Sequence, residues 1–559
     1  MPFVSSLGGA MGYGRAFKSA ATPTGLAKWA TSIGSITNAE VKSVAIDSSS
    51  NVYIIGYFSG TATIRSFGSG GGGGAITLTP YGTLTSASVF EEVFIVKYNT
   101  TGIAQWATTI GSTGNSDIGY SIAVDTSGNV YVTGYFSGTA TIRSFGSGGG
   151  GGAITLSSYG TLTSSGSSDV FIVKYNTTGI AQWATTVGSA GTSEYGYSIA
   201  VDTSGNVYVT GNFSTTTRIN SFSSGGGGGA ITLTSYGRLV NASGNIYAFI
   251  AKYNTNGIVQ WATSIESLNV ANGYSLAVDT TGNVYVCAYV IDTLTIKSFG
   301  SGGGGGTITL SSYGTFTPTS IDNALIVKYN SSGIVQWATT IETVCNNVNY
   351  SIALDSLGNV YITSQFSNSA LINNFTSGGG GGPITLTAYR TLTTGGNNVY
   401  IVKYNSSGIA QWATCIAAAS SFVEVNRCIA TDSSNNVYFT GFFGSTATIK
   451  NFVSDTGGTI TLESYGTLIT TGSDNAFVVK YNSSGTAQWA TTIESTGEDF
   501  GTSVVVDASG NVYVTGSFSG TATINNLGTG GGGGPISFTS YGTLTSDGGN
   551  NPFIVQYGQ

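Results

Sequence analysis

Histidine is absent from all 559 residues, and with it the side chain most used as a general base near neutral pH and as a transition-metal ligand. Charge is scarce: Lys and Arg total 18 and Asp and Glu 25, a net charge of −7. A nucleic-acid footprint needs clustered basic residues, but six of these are one repeated lysine (Lys97, Lys174, Lys252, Lys328, Lys403 and Lys480), spaced along the whole chain. No apolar run reaches the roughly 18 residues of a membrane-spanning helix. The first residues lack a basic segment followed by a long apolar core, so they do not read as a secretory signal. Helical periodicity and helix caps are missing throughout. The four cysteines are scattered single replacements: Cys287, Cys415 and Cys428 stand where other copies have Thr133, Thr109 and Ser121, and Cys345 falls in a variable loop. That pattern makes neither a disulfide framework nor a metal knuckle, so reduced, structural thiols are expected.

What is present is repetition. Trp29, Trp106, Trp183, Trp261, Trp337, Trp412 and Trp489 are the only tryptophans, at intervals of 77, 77, 78, 76, 75 and 77. A fixed period with one bulky anchor per unit marks an architecture in which each unit buries its apolar surface on its neighbours. Glycine is abundant (85), yet hydrophobic residues make up 40 % and aromatics 12 %, enough for a packed core.

Within one unit, Tyr120-Ser-Ile-Ala-Val-Asp125 and Val130-Tyr-Val-Thr-Gly134 flank Thr-Ser-Gly-Asn, the pattern of a hairpin. Its aspartate can accept turn N–H groups and recurs as Asp47, Asp125, Asp202, Asp279, Asp355, Asp432 and Asp507. A second hairpin runs from Val170-Phe-Ile-Val-Lys-Tyr175 through Asn-Thr-Thr-Gly to Ile180-Ala-Gln-Trp-Ala-Thr-Thr186. Both carry apolar residues on both faces, as a sheet sandwiched between neighbours requires. Four strands per unit, covered on both sides, predict propeller blades.

The Ala-Val-Asp-x-x-Gly-Asn-Val-Tyr-Val-Thr-Gly hairpin, the Phe-Ile-Val-Lys-Tyr strand and the Gly-Ile-Ala-Gln-Trp-Ala-Thr strand resemble the seven-bladed beta-propeller repeat proteins of SBBP type. The resemblance covers roughly residues 25–559. It implies the fold and no particular reaction.

The expected architecture is all-β: a seven-bladed propeller, four strands per blade, with a glycine-tipped hairpin inserted in each. Blades are placed at about 41–113, 119–190, 196–268, 273–344, 349–419, 427–496 and 502–559. Residues 25–34 form an isolated fourth strand and 552–557 an isolated third, so the N-terminal strand is expected to complete the last blade, removing a free edge. Residues 1–24, with Arg15 and Lys18, form an arm outside the ring.

The inserted hairpins carry five-glycine runs centred on Gly72, Gly150, Gly227, Gly304, Gly380 and Gly532. No helix N-terminus and lysine follow, so a phosphate cradle is excluded. The runs read as flexible or tightly turned tips amplified by duplication (residues 57–78 and 135–156 are identical), with close contact to a glycan or protein as the alternative. These hairpins and the fourth-to-first-strand loops emerge on one face, where the copies differ most. Its acidic residues Asp117, Glu194, Glu266, Glu342, Glu424 and Glu498 are the candidate interaction positions.

Chemistry is otherwise thin. Each Asp turn supplies one carboxylate, too few for calcium. The turns are similar to the Asp-box turns of sialidases but lack the preceding Ser and following Trp, and no facing carboxylate pair is evident for glycoside hydrolysis. Sequons at Asn99, Asn176, Asn330, Asn405 and Asn482 are glycosylation acceptors if the chain meets that machinery, though Asn also opens such turns well. No catalytic residue, cofactor or metal is assigned. The expected function is a non-catalytic interaction scaffold, a surface or particle component bound through its loop face to a protein or glycan partner. A multivalent glycan-binding propeller is the alternative, and a hydrolase or lyase a third. Compartment and assembly state are left open.

Overall fold

A computed structural model describes residues 25–113, 115–320, 322–343, 350–418, 423–424, 429–455 and 459–558. The arm 1–24, Cys345 and Cys428 lie outside them. Among the described residues the regular structure is all β, with no helix. The antiparallel hairpins fall where residue alternation and turn chemistry put them. Ile118–Val124 pairs with Val130–Phe136, which pairs with Asp169–Tyr175, which pairs with Ala181–Gly188. The same succession recurs along the chain, for example in Ala39–Ile46, Val52–Phe58, Glu92–Tyr98 and Ala104–Ser112. At the C-terminal end, Phe500–Val506, Val512–Phe518 and Asn551–Tyr557 pair in order, and their fourth strand is Ala27–Ser35 from the start of the chain. Thr31 lies opposite Ile554 in that ladder.

Apolar residues on both faces of each strand are buried because each sheet packs between two others. Tyr53, Ile55, Val93 and Trp106 share a cluster with Val130, Val132, Phe171 and Val173 of the next unit. Trp29, Val41 and Ile54 cluster with Tyr513 and Ile554, so the earliest and latest units touch. First strands are stitched directly together. The Ser121 hydroxyl accepts the Ile199 N–H, Ser198 that of Leu276, Ser275 that of Ile352, and Ser503 that of Val44.

The inserted hairpin serves its neighbour. Thr139–Ser147 pairs with Thr155–Thr163, and its Ala140–Ile142 segment pairs with Ile110–Ser112, the outer strand of the preceding unit. This gives six-stranded sheets whose fourth strand is never an exposed edge. Where the second strand runs unbroken into the hairpin, as in Val360–Ser377 and Val437–Ser454, adjacent sheets merge into one of 15 strands.

The glycine tips, expected to be flexible or tightly turned, are tightly turned and docked on the neighbouring hairpin. Gly151 N–H donates to the Tyr81 carbonyl, Thr83 N–H to that of Gly152 and Ile154 N–H to that of Thr83. Parallel bridges link 83 to 153, 161 to 230, 238 to 307, 315 to 383, 391 to 459, 467 to 535 and 543 back to 75. Ile154, at 8 % exposure, is the anchor, and its counterparts Ile76, Ile231, Ile308, Ile384 and Ile536 are buried likewise. Left-handed backbone at Gly150 (φ 73°) turns the chain so that this isoleucine reaches its neighbour.

Candidate functional site

The repeated polar residues are consumed in holding turns and seams. Asp125 Oδ1 accepts the Ser127 and Asn129 N–H groups at 2.9 Å, while Oδ2 accepts the Asn129 amide at 2.8 Å and the Tyr131 hydroxyl at 2.9 Å. Burial alone would raise this carboxyl; the donors outweigh it and hold it below its ordinary value. All seven turn aspartates bind their turns this way, with Ser50 and Asn435 adopting the left-handed conformation where glycine is missing. A carboxylate engaged by four donors is a turn lock and a poor cation ligand.

The lysine repeat has a specific place. Lys174 lies over the Tyr131 ring at 5.3 Å, and its Nζ donates to the Thr255 carbonyl of the next unit at 3.3 Å. That carbonyl also accepts the Trp183 indole N–H at 2.9 Å. The double clamp recurs at Thr177, Ser331, Ser406 and Ser483. Burial pushes the Lys174 ammonium below its ordinary value, and nearby Asp125 opposes the shift. A cleft of about 420 Å³ between the Asp279 and Asp355 turns is this clamp seen from outside, with Tyr285, Lys328 and Ser406 among its walls.

At the varied end, the candidate acids split. Asp117 is fully buried; its Oδ2 accepts the Ser112 N–H at 2.6 Å and its Oδ1 the Ser137 N–H at 3.1 Å. Burial, partly offset by these donors, lifts it to about 6. Glu194 is equally buried and accepts from Ser189 N–H and the Ser189 and Thr192 hydroxyls. Both shape their own loops and present no carboxylate to a partner. Glu342 is buried against the Asn373 amide at 2.8 Å, and Glu266 pairs with Lys297 at 3.2 Å across a seam. Glu498 is exposed, whereas its neighbour Asp499 is the one turned inward to accept the Ser495 N–H and hydroxyl, lifted by burial to about 7. Glu424 pairs through its backbone with Phe442, and its side chain lies outside the described residues. These acids come from separate units, and among the described residues Asp117, Glu194, Glu266 and Glu342 are each held by polar partners of their own.

The other sequence-level candidates are also placed. Gly72, Gly150, Gly227, Gly304, Gly380 and Gly532 lie at hairpin tips with positive φ and open space where a Cβ would go. In the sequon turns, Asn176 Oδ1 accepts the Thr178 and Ile180 N–H groups, and Asn99, Asn330, Asn405 and Asn482 do the same in theirs. Asn254, in a turn with no sequon, makes identical bonds, so the turn alone accounts for the asparagine. Cys287 and Cys415 are buried free thiols, Cys287 pushed far above its ordinary range by desolvation. No group of metal-ligating side chains occurs among the described residues.

One cluster was missed in the sequence. Half-buried Tyr120, Tyr135, Tyr195, Tyr197, Tyr274 and Tyr289 form a connected row at the loop end of the first and second strands. The signal for Tyr120, Tyr197 and Tyr274 is a position that varies among the seven units (Lys42, Tyr120, Tyr197, Tyr274, Tyr350, Arg427, Thr502) inside an otherwise similar strand.

A family model described as Beta-propeller repeat, SBBP, matches residues 105–135, 182–212 and 488–517. These segments start at the tryptophan strand and run through the first Asp hairpin. The chain carries SBBP-type propeller repeats. It is also similar to an uncharacterized WD repeat-containing protein of Acanthamoeba polyphaga mimivirus, 29 % identical over 557 residues. That alignment takes in 88 % of this chain and 36 % of the viral protein, so the chain spans about a third of its relative's length. No helix of the SBBP-repeat chain is long and apolar enough, among the described residues, to cross a membrane.

Proposed function

We propose that these repeats close into one seven-bladed propeller, over residues 25–559 with the blade limits given above, and that it works as a non-catalytic scaffold binding a partner on its varied loop face. Closure is supported by the pairing of Ala27–Ser35 with Asn551–Tyr557 and by the bridges running from hairpin to hairpin back to residue 75. The scaffold reading is carried by one observation: residues shared by all copies are spent in turns and seams, while 112–118, 189–195 and 267–271 differ at the same end. Loop variety on a rigid frame is how binding surfaces are made. The WD repeat in the relative's name denotes another four-stranded propeller unit, consistent with such a frame. Residues 1–24 would extend from it, and a surface or particle would be its setting.

The test is partner capture from the native source with the full chain as bait, against a variant whose 112–118 and 267–271 loops are replaced by the sequence of 189–195. A partner held by the first and lost by the second supports the reading. A partner indifferent to the exchanges, or a purified chain that turns over a substrate, overturns it.

A further inference from the structure

Each inserted hairpin sets one pair of residues face to face at the same point of its ladder. In six units the pair is Thr63 with Thr83, Thr141 with Thr161, Thr295 with Thr315, Leu371 with Thr391, Thr448 with Thr467 and Thr523 with Thr543. In the third unit it is Arg218 with Arg238. Side chains directly opposite in an antiparallel ladder start about 5 Å apart, where two threonines support each other and two like charges destabilise the pair. One hairpin carries the same charge at both positions, and the other six carry none.

The remaining basic side chains are occupied. The six repeated lysines lie over tyrosine rings. Lys42, Arg65, Arg143 and Lys297 pair with carboxylates, and Lys28, Arg390 and Lys450 donate to neutral oxygens. Among the described residues, only Arg218 and Arg238 have a basic side chain with no ion pair, ring or hydrogen-bond acceptor. Both are exposed, while Thr217, Ile219 and Leu239 beside them are buried. Inward along the same row Arg218 faces Gly188, and the Asp169 carboxyl fills the space over that glycine. Asp169 is buried and accepts the Ser165 N–H at 2.9 Å and hydroxyl at 3.1 Å; it makes no ion pair with either arginine.

Two uncompensated guanidinium groups side by side match an anion with a charge near −2. A carboxylate carries a single charge, whereas a phosphate monoester carries about −1.5 to −2 at neutral pH and offers three oxygens to two planar forks. The setting narrows the source. A free small molecule is held by enclosure in a pocket, and this outer face is open. A polybasic membrane contact takes about four to eight basic residues. Nucleic-acid binding likewise draws on more phosphate contacts than two cations make. A phosphorylated side chain on another protein needs only the pair. Val240, 48 % exposed and two positions beyond Arg238, adds an apolar contact beside it.

We propose that Arg218 and Arg238 form a docking site for a phosphoserine or phosphothreonine of a partner protein, on the outer face of the third inserted hairpin. The site stands apart from the scaffold reading, because neither loop exchanged in that test contains these arginines.

The experiment is fluorescence anisotropy of labelled Ala-Ala-phosphoserine-Ala-Ala with the full chain at low ionic strength, where exposed charges are least screened. The unphosphorylated peptide, its glutamate counterpart and vesicles containing phosphatidylinositol 4-phosphate are run beside it. Variants Arg218→Thr and Arg238→Thr copy the pairing of Thr141 with Thr161, and Lys28→Thr removes an exposed cation elsewhere. One-to-one binding of the phosphopeptide is expected, roughly tenfold or more tighter than of the other two peptides. Either arginine variant should weaken it roughly tenfold or more and Lys28→Thr leave it unchanged. With like-charge repulsion relieved, both arginine variants should unfold at or above the parent's midpoint, which also verifies their fold. No preference for phosphate, indifference to the arginine variants, an equal loss in Lys28→Thr, preference for the vesicles, or lower midpoints in both arginine variants overturns it. A partner captured through the varied loops by a chain blind to the phosphopeptide would sink this site and leave the scaffold standing.

Discussion

The indole N–H of Trp106 donates to the carbonyl of Thr177 at 3.0 Å, across the boundary between one repeat and the next. Lys97 reaches the same carbonyl, so one turn is gripped twice by its neighbour. Trp106→Ala removes the clamp and leaves a large cavity, and should cost ~3–5 kcal/mol. Trp106→Phe keeps much of the packing and loses the hydrogen bond, for about 1–2 kcal/mol. Denaturant unfolding of both variants checks the order. Equal losses would show that the hydrogen bond and not the packing holds the seam, and an unchanged Trp106→Phe that packing alone does.

The sheet edge gives a second prediction. Replacing residues 139–163 by a short Gly-Ser linker uncovers the Ala104–Ser112 strand, because Ala140–Ile142 is what covers it. A bare, flat edge recruits other chains. Light scattering should show concentration-dependent association in this variant and a monodisperse parent.

Glycine positions separate turning from docking. At Gly150 a Cβ meets nothing within 4 Å, so Gly150→Ala should cost only the strain of a left-handed alanine, about 1 kcal/mol. At Gly82 it would lie 2.7 Å from Ile154 Cγ1 and 2.9 Å from the Gly152 carbonyl. Gly82→Ala should therefore release the neighbouring tip, read as new protease cleavage within 148–152. Cleavage in both variants or in neither would contradict the docking.

Stability should peak on the acid side of neutrality. Asp117 and Asp499 titrate at about 6 and about 7 in the fold, above the ordinary carboxylate range. A raised acid favours the folded state while it is protonated, so its contribution is complete below the unfolded value of ~4 and is lost as pH climbs through 6 and 7. Asp47, Asp125, Asp279, Asp432 and Asp507 are held low; their contribution is present above ~4 and lost as pH falls through their folded values. Unfolding midpoints should rise from about pH 8 to pH 5 and drop at lower pH. Asp499→Asn should flatten the upper limb; an unaltered slope would remove Asp499 from this role.

Much of this was legible in the sequence because it is local. Asp125 and Gly128 announce a turn between two apolar runs, and the Lys174-to-Trp183 hairpin follows from alternation and an Asn-Thr-Thr-Gly turn. The destination of the inserted hairpin was not legible. Its partner is a strand of another unit, and nothing within residues 139–163 names Ile110. The acids misled for a related reason, since Asp117 at a loop end reads the same whether it faces solvent or accepts two buried N–H groups. The tyrosine row was visible only as variation. It needed the bulge at Tyr120 and Tyr197 to show that these side chains leave the ladder together.

The central claim, a closed ring sealed by the N-terminal strand, is tested most directly by single-particle images of the intact chain viewed down its axis. The account predicts class averages with seven equivalent wedges around a closed centre. It also predicts that deleting residues 25–35 opens a gap at one wedge or drives self-association there. An open arc in the intact chain, a different number of wedges, or an unchanged closed ring after the deletion would contradict it.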